Sequence, residues 1–270
     1  RLLMACAVVV GGAGILYGSA FRMPTMGNIL IKYGIGPLTL RDTHLLHLDS
    51  VPALPDGFWL AVTIASLFGA GMLLVAVFGA IGKVINLRLP ERSDTEVAGA
   101  FLLLAAIIYL LPLLMTVPCD RYFIPVLPLL IAAILCMFSP QLQADKAFKY
   151  IAIVVVIAAG IFSIGATKDY FAWNRARWAA LADLQNDRHI SVDDIDGGLE
   201  FNGLYAYDPE YQRMEGKSWW WVKDDTYLIG FQQIFDYKVL KSYEYSHWLP
   251  SYTGKIVVLE KDPSQGIPME

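Results

Sequence analysis

Five long stretches without a charged side chain constrain this chain more than any other feature of its sequence. They are residues 2–21, 58–82, 97–119, 122–144 and 150–167. A helix needs roughly 20 apolar residues to cross a bilayer core about 30 Å thick. We therefore predict an α-helical integral membrane protein with five transmembrane helices, at about residues 2–21, 58–82, 97–117, 123–139 and 150–167.

Charge divides the chain into two parts. Residues 1–168 carry a net charge of +3, whereas residues 169–270 carry −7 and are rich in aromatic side chains. We predict a transmembrane region over 1–168 and a small extracytoplasmic α+β domain over 169–270. Its expected elements are a helix that continues the fifth span to residue 186, then strands at 192–195, 199–207, 227–231, 237–245 and 255–260. The net charge of −4 excludes a nucleic-acid binder that relies on positive charge.

Basic residues in the short loops predict the orientation, because Lys and Arg are enriched on the cytoplasmic side. With the N-terminus inside, the inner segments hold 6 basic residues in 20 and the outer segments hold 4 in 38. We therefore expect a multi-pass membrane protein whose outer side is the periplasm or cell exterior of a bacterium, or the lumen in a eukaryote. The lipid bilayer is one expected partner, and the C-terminal domain is expected outside the cytoplasm.

The triplet Asp120-Arg121-Tyr122 carries the strongest candidate site. It lies on the outer side between the third and fourth predicted spans, with prolines before and after it. Charged side chains at membrane depth usually serve a function. The planar guanidinium of Arg121 can bind a phosphate through two N–H groups, Asp120 could orient it, and Tyr122 could donate to the same anion. The alternative is a simple hairpin turn at the surface.

Three other polar or aromatic segments allow less specific interpretations. The segment RDTHLLHLD (41–49) has two His and two Asp that could ligate zinc, but the spacing matches no zinc signature and a loop lining a polar cavity is the alternative. The acidic segment 193–200 could bind a cation or form a solvated turn. Residues 219–221 are three tryptophans that could stack on sugar rings, fill the core or meet the membrane interface. No phosphate-binding glycine motif is present, so we predict no cofactor, and a divalent metal is unsupported.

The sequence DRYFIPVLP (120–128) resembles the late membrane motif of the GT-C glycosyltransferases. The similarity is to the glycosyltransferase family 39-like members related to protein O-mannosyltransferases and aminoarabinose transferases. The stretch IDGGLEFNG (195–203) and the final segment 227–259 are similar to the tail of bacterial members. The resemblance covers roughly residues 100–260, and the part around Arg121 is short.

The resemblance implies a membrane transferase that moves a sugar from a polyprenyl-phosphate donor to an acceptor hydroxyl on a glycan, lipid or protein. It implies that Arg121 and Tyr122 lie near the donor phosphate, with Asp120 orienting them. The family's catalytic acid lies in the first outer loop, in an Asp-Glu pair that residues 22–57 lack. We therefore expect the chain to be the C-terminal part of a longer enzyme, with the catalytic base upstream of Arg1.

Two other functions compete with this interpretation. A membrane-anchored glycan-binding or assembly protein without enzymatic activity would use its aromatic outer domain to hold a glycan or partner. A transporter is disfavoured, because no predicted span has a charge inside it and no inverted repeat or broken helix pair is visible.

Overall fold

The computed structural model of the protein describes residues 29–86, 93–113, 115–116, 119–142, 146–215, 217–218, 220–262 and 264. The α-helices are α1 (Asp56–Asn86), α2 (Asp94–Leu113), α3 (Val126–Leu142), α4 (Lys146–Ala182) and α5 (Leu199–Tyr205). The β-strands are β1 (Leu30–Ile31), β2 (Gly34–Ile35), β3 (Ile195–Asp196), β4 (Tyr227–Gly230), β5 (Tyr237–Trp248) and β6 (Ser251–Lys261). Single helical turns occur at Arg41–Leu45, Asp120–Phe123, Asp183–Asp187 and Val192–Asp194.

Four helices among the described residues are long and apolar enough to cross a membrane. They are Asp56–Ile85, Asp94–Leu113, Asp120–Phe138 and Lys149–Asp187, and they correspond to the second to fifth predicted spans. Large apolar side chains remain exposed along them, including Phe68 and Val154 at 68% and 65%. Such surfaces are unfavourable in water and suit a hydrocarbon environment. The predicted span at 2–21 lies outside the described residues.

Helices α2 and α3 pack closely because a glycine stands at their contact. A Cβ atom at Gly99 would lie 3.0 Å from Met137 and 3.2 Å from the backbone oxygen of Ala133. Leu103 of α2 and Ala80 of α1 are buried in the same cluster. Small residues let membrane helices approach this closely, so α1 to α3 form a packed bundle.

The chain divides into two compact units. One contains Pro55–Gly160 with the described residues before Lys32, and the other contains Lys32–Leu54 with the described residues from Ile161 onward. The predicted division at residue 168 followed charge and hydropathy alone. Contacts instead group the loop Lys32–Leu54, which precedes α1, with the C-terminal residues.

The C-terminal unit is built on a four-stranded sheet in the order β3-β4-β6-β5. Strand β3 is parallel to β4, and the other neighbours are antiparallel. Buried Leu228, Tyr237, Val257 and Leu259 form a core on one face, against which Leu48 of the loop packs. The loop therefore contributes to the core of this unit.

The predicted helix that continues the fifth span is confirmed. Helix α4 extends to Ala182, and the turn Asp183–Asp187 follows it. Trp173, Arg177 and Leu181 of the predicted face are at most 2% exposed. A face with a three- and four-residue repeat thus packs into the C-terminal unit, as expected for an amphipathic helix.

Two of the predicted strands are wrong. Residues 199–205 form helix α5, and of the segment 192–195 only Ile195 belongs to a strand. The side chain of Asn202 explains the first error. Its Oδ1 accepts a hydrogen bond from the Gly197 N–H at 3.0 Å, which favours a helical turn over an extended strand. The alternation of polar and apolar residues in this segment does not reveal such a local bond. The predicted strands at 227–231, 237–245 and 255–260 are confirmed, and the latter two are longer than expected.

Candidate functional site

The predicted phosphate-binding triplet forms a single 3-10 turn, Asp120–Phe123, immediately before α3. Cys119 before the turn has an extended backbone with ψ 157°, and α3 begins at Val126, just after Pro125. Proline suits the position before a helix because its fixed φ is compatible with a first turn and it has no N–H to leave unpaired. The turn therefore holds the three side chains at the end of an apolar helix.

The carboxylate of Asp120 accepts hydrogen bonds from backbone N–H groups. Its Oδ2 accepts hydrogen bonds from the N–H groups of Ile29 and Leu30, both at 2.8 Å. Its Oδ1 accepts from the Arg121 N–H at 2.8 Å. The expected orienting contact between this carboxylate and the guanidinium of Arg121 is absent among the described residues, so Asp120 fixes the backbone of the turn.

Arg121 and Tyr122 remain exposed. The Nη2 of Arg121 donates to the Tyr122 hydroxyl at 3.4 Å, and the guanidinium lies 5.2 Å from the centre of the tyrosine ring. Within the part of the chain that the structure describes, no carboxylate lies within ion-pairing distance of Arg121. A guanidinium that no acid neutralises can bind an anion without first breaking an ion pair.

The loop segment 41–49 does not assemble a metal site. Asp42 is fully buried and accepts from the N–H groups of Phe231, at 2.7 Å, and Gln232, at 3.2 Å. His44 packs against Trp220 with ring centres 4.9 Å apart, and Asp49 pairs with Lys32. No group of three potential metal ligands occurs among the residues with described positions.

A buried charge network joins the loop to the C-terminal sheet. Asp225 accepts from Arg41 at 2.7 Å, from Lys261 at 3.0 Å and from Lys217. The side chain of Asp225 is 2% exposed. Burial alone would raise the pKa of this carboxyl, but the three cationic donors outweigh burial and hold the pKa well below its usual range.

A second buried pair involves Arg177, whose side chain is 1% exposed. Its Nη1 donates to Glu200 at 2.6 Å, and its guanidinium lies 5.3 Å from the ring centres of both Trp173 and Trp178. Thr39 donates to the same carboxylate oxygen of Glu200 at 2.5 Å. These contacts connect helix α4, helix α5 and the loop in one unit.

The IDGGLEFNG stretch positions Glu200 for this pair. Asp196 accepts from Asn202 at 2.8 Å, and burial raises the pKa of its carboxyl although Asn202 opposes the shift. Gly198 has φ 88° and lies against the backbone oxygen of Thr39. No group of three potential metal ligands occurs in this segment among the described residues.

No family model, curated protein or solved structure matches this chain. The resemblance to GT-C transferases therefore depends on the residues of the motifs themselves.

Sequence reasoning missed the long-range partners of the buried charges. Arg41 and Asp225 are 184 residues apart, and no pattern in a single sequence relates them. The sequence predicts the helix face of Arg177 correctly, but it does not reveal the partner Glu200, which belongs to the segment predicted as a cation site or a solvated turn. Of the three tryptophans, Trp220 is 1% exposed, which supports a core position for that residue; Trp219 lies outside the described residues.

Proposed function

We propose that this chain is the C-terminal part of a membrane glycosyltransferase. The enzyme would move a sugar from a polyprenyl-phosphate donor to an acceptor hydroxyl of a glycan, lipid or protein, on the outer face of a bacterial inner membrane. The observation that supports this best is the exposed guanidinium of Arg121, which pairs with no carboxylate of the described residues and lies beside the Tyr122 hydroxyl at the end of an apolar helix.

The position of Arg121 suits a lipid-linked phosphate. A polyprenyl chain lies in the bilayer and its phosphate lies at the interface, which is where a helix that spans the membrane ends. A guanidinium keeps its charge in a low-dielectric setting and can donate two parallel hydrogen bonds to a phosphate. The Tyr122 hydroxyl can donate a third bond to the same group.

The reaction assigns different roles to the two parts of the enzyme. A carboxylate upstream of Arg1 would take the proton from the acceptor hydroxyl, and the acceptor oxygen would attack the anomeric carbon of the sugar. The bond between that carbon and the phosphate oxygen breaks, and the phosphate leaves with the electron pair. Arg121 would stabilise the negative charge that develops on the leaving phosphate.

The first prediction tests Arg121 in the full-length protein. We expect Arg121→Ala to lower transfer from an undecaprenyl- or dolichyl-phosphate sugar by at least about tenfold, because a charge-assisted contact to the leaving group is lost. Arg121→Lys should recover part of the activity, since a lysine keeps the charge but not the fork. Transfer of radiolabelled sugar in proteoliposomes measures the effect.

Arg175 provides the matched control, because it is exposed on α4 and lies in the other compact unit. Arg175→Ala should leave transfer unchanged, and all variants should insert into the membrane equally. Near-normal transfer by Arg121→Ala would remove Arg121 from the mechanism. No transfer by the wild-type full-length protein from either donor would favour a non-enzymatic function.

A further inference from the structure

The hairpin of β5 and β6 ends in a tip, Trp248–Ser251, that lies against helix α4. A Cβ atom at Gly165 would come within 2.6 Å of the Cδ1 atom of Leu249, so Leu249 packs directly on the helix at this position. Gly165 belongs to the charge-free stretch 150–167, which the sequence predicts to lie in the membrane. The hairpin tip therefore reaches the part of α4 where the apolar stretch ends.

Strand β5 runs along α4 away from the hairpin tip. Towards the other end of the strand, the Nζ of Lys241 donates to Asp183, just beyond the end of α4, at 2.7 Å. Asp183 is roughly 27 Å farther along the helix than Gly165, because an α-helix rises about 1.5 Å per residue. The tip is therefore the end of the β5–β6 hairpin that lies closest to the predicted span.

Asp169 fixes the hairpin tip to the helix through backbone groups. Its Oδ1 accepts a hydrogen bond from the Trp248 N–H and its Oδ2 accepts one from the Leu249 N–H, both at 2.8 Å. Pro250 has no N–H, and its carbonyl oxygen accepts a hydrogen bond from the Nδ1 of His247 at 2.8 Å. These polar groups are thus paired within the protein, as a segment that enters a low-dielectric setting requires.

Lys168 is the first charged residue after the apolar stretch, and it also contacts the hairpin. Its Nζ donates to the backbone oxygen of Ser246 at 2.6 Å and to the Ser246 hydroxyl at 3.0 Å. The same Nζ lies 4.6 Å from the centre of the Trp248 ring. A lysine at the end of a membrane helix keeps its stem along the apolar surface and its ammonium at the interface. The Trp248 ring is therefore at the level of the boundary between hydrocarbon and water.

Large apolar side chains are exposed at this level. Trp248 is 55% exposed, although tryptophan is the largest of the apolar side chains. Ile161, Ile164 and Phe171 of α4 are also more than half exposed. Such a surface is unfavourable in water, whereas tryptophan is enriched where a protein meets the membrane–water interface. The apolar surface of the span thus continues onto the hairpin tip.

We infer that the hairpin tip inserts into the interface of the bilayer that α4 crosses, with the Trp248 ring between the lipid headgroups. The indole ring has apolar faces that suit the boundary of the acyl chains, and an N–H group that can donate to a headgroup or to water. The C-terminal unit then contacts the membrane at a second point besides α4. The inference does not rest on the proposed transfer, because none of these residues belongs to the Arg121 site.

The second prediction tests the depth of the hairpin tip with spin labels. The three native cysteines are replaced by serine, and a nitroxide is attached to Trp248→Cys or to Ser251→Cys in the full chain, in nanodiscs of phosphatidylcholine and phosphatidylglycerol. Oxygen concentrates in the bilayer, whereas nickel-EDDA stays in water. Power-saturation EPR should show that oxygen relaxes both labels more strongly than the nickel chelate does. Ser251 is exposed and pairs with Trp248, so Ser251→Cys reports on the tip while the tryptophan is kept.

Val239→Cys is the matched control, because Val239 is 44% exposed on the same strand and lies roughly 30 Å from Trp248 along it. The nickel chelate should relax its label more strongly than oxygen does, so the order of the two reagents should reverse between tip and control. The inference is overturned if the nickel chelate relaxes the tip labels as strongly as the control label. It is also overturned if both reagents are excluded from the tip, which would show that a protein surface covers Trp248, or if oxygen relaxes the Val239 label more strongly as well, which would extend the lipid contact to the whole strand.

Discussion

At the scale of single residues, two buried carboxylates of the C-terminal unit respond to burial in opposite ways. Asp225 has three cationic partners, and its pKa is held below the usual range. Asp42 accepts hydrogen bonds from neutral groups, among them the backbone N–H groups of Phe231 and Gln232, and burial raises the pKa of its carboxyl. The difference follows from the partners, since both side chains are almost completely removed from solvent.

The third prediction concerns the pH dependence of stability at Asp225. A carboxyl with a depressed folded-state pKa stabilises the protein fully above its unfolded pKa of about 3.9, and this stabilisation is lost as the pH falls through the folded pKa. Asp225→Asn should therefore cost on the order of 3 kcal/mol at pH 7, because it removes the buried carboxylate that Arg41, Lys217 and Lys261 share. The deficit should shrink below about pH 4.

Thermal unfolding of the full chain in detergent, followed by tryptophan fluorescence between pH 3 and pH 7, measures this deficit as a difference from wild type. Asp42 and Asp196 titrate in both proteins, so their effects cancel in the comparison. Asp193→Asn is the control, since Asp193 is exposed and has no ion-pair partner among the described residues. A deficit that stays constant over the whole pH range would contradict the prediction.

At the scale of elements, the sequence predicts those helices and strands whose formation depends on residues close together in the chain. The apolar lengths of α1 to α4, the buried face of α4 and the β-branched run in β6 all follow from periodicity and composition. Helix α5 is not predicted because two local features decide where it starts. The Gly197 N–H donates a hydrogen bond to the side chain of Asn202, and Gly198 has a positive φ. The position of the loop Lys32–Leu54 was missed because its partners are far away in the sequence.

The fourth prediction concerns Gly198, which begins α5. Its φ of 88° and ψ of 174° define a conformation that is essentially restricted to glycine, and a Cβ atom would lie 2.6 Å from the backbone oxygen of Thr39. Gly198→Ala should therefore destabilise the C-terminal unit by at least about 2 kcal/mol.

Gly34→Ala is the matched comparison for this variant. Gly34 also has a positive φ, of 122°, but a Cβ atom there would meet nothing within 4 Å. The substitution adds backbone strain without a clash, so its effect on the unfolding temperature should be smaller. Equal decreases in the unfolding temperature of the two variants would show that the backbone near Thr39 moves away from the added Cβ atom without a cost in stability.

At the scale of the whole molecule, the number of helices that are able to cross a membrane is compatible with the contacts of the loop. Four helices capable of crossing a membrane, starting at Asp56, separate the loop from the polar C-terminal residues. An even number of crossings returns the chain to the side from which it started. The Arg41–Asp225 ion pair also requires the loop and the C-terminal residues to lie on the same side of a membrane, because both residues belong to one compact unit.

The fifth prediction tests this topology by cysteine labelling. After the three native cysteines are replaced by serine, single cysteines are introduced for His47, Glu210 and Ser93, which are all exposed. A membrane-impermeant maleimide should label the first two in intact spheroplasts, and it should label the third only after lysis. The reason is that Ser93 follows a single crossing from the loop.

The outcomes separate two claims. Labelling of His47 and Glu210 variants from different sides would contradict the common unit. Labelling of both only after lysis would leave the common unit intact and would overturn the proposed location outside the cytoplasm.

The docking of the loop on the C-terminal sheet also sets an order in time. The ribosome completes Asp225 only 184 residues after Arg41, which takes about 10–40 s at 5–20 residues per second. During that interval the four apolar helices between Asp56 and Asp187 are made, and the loop has no partner in the C-terminal residues. Arg41 and Asp42 therefore lack the partners that they have in the folded protein until the chain has been made as far as Gln232.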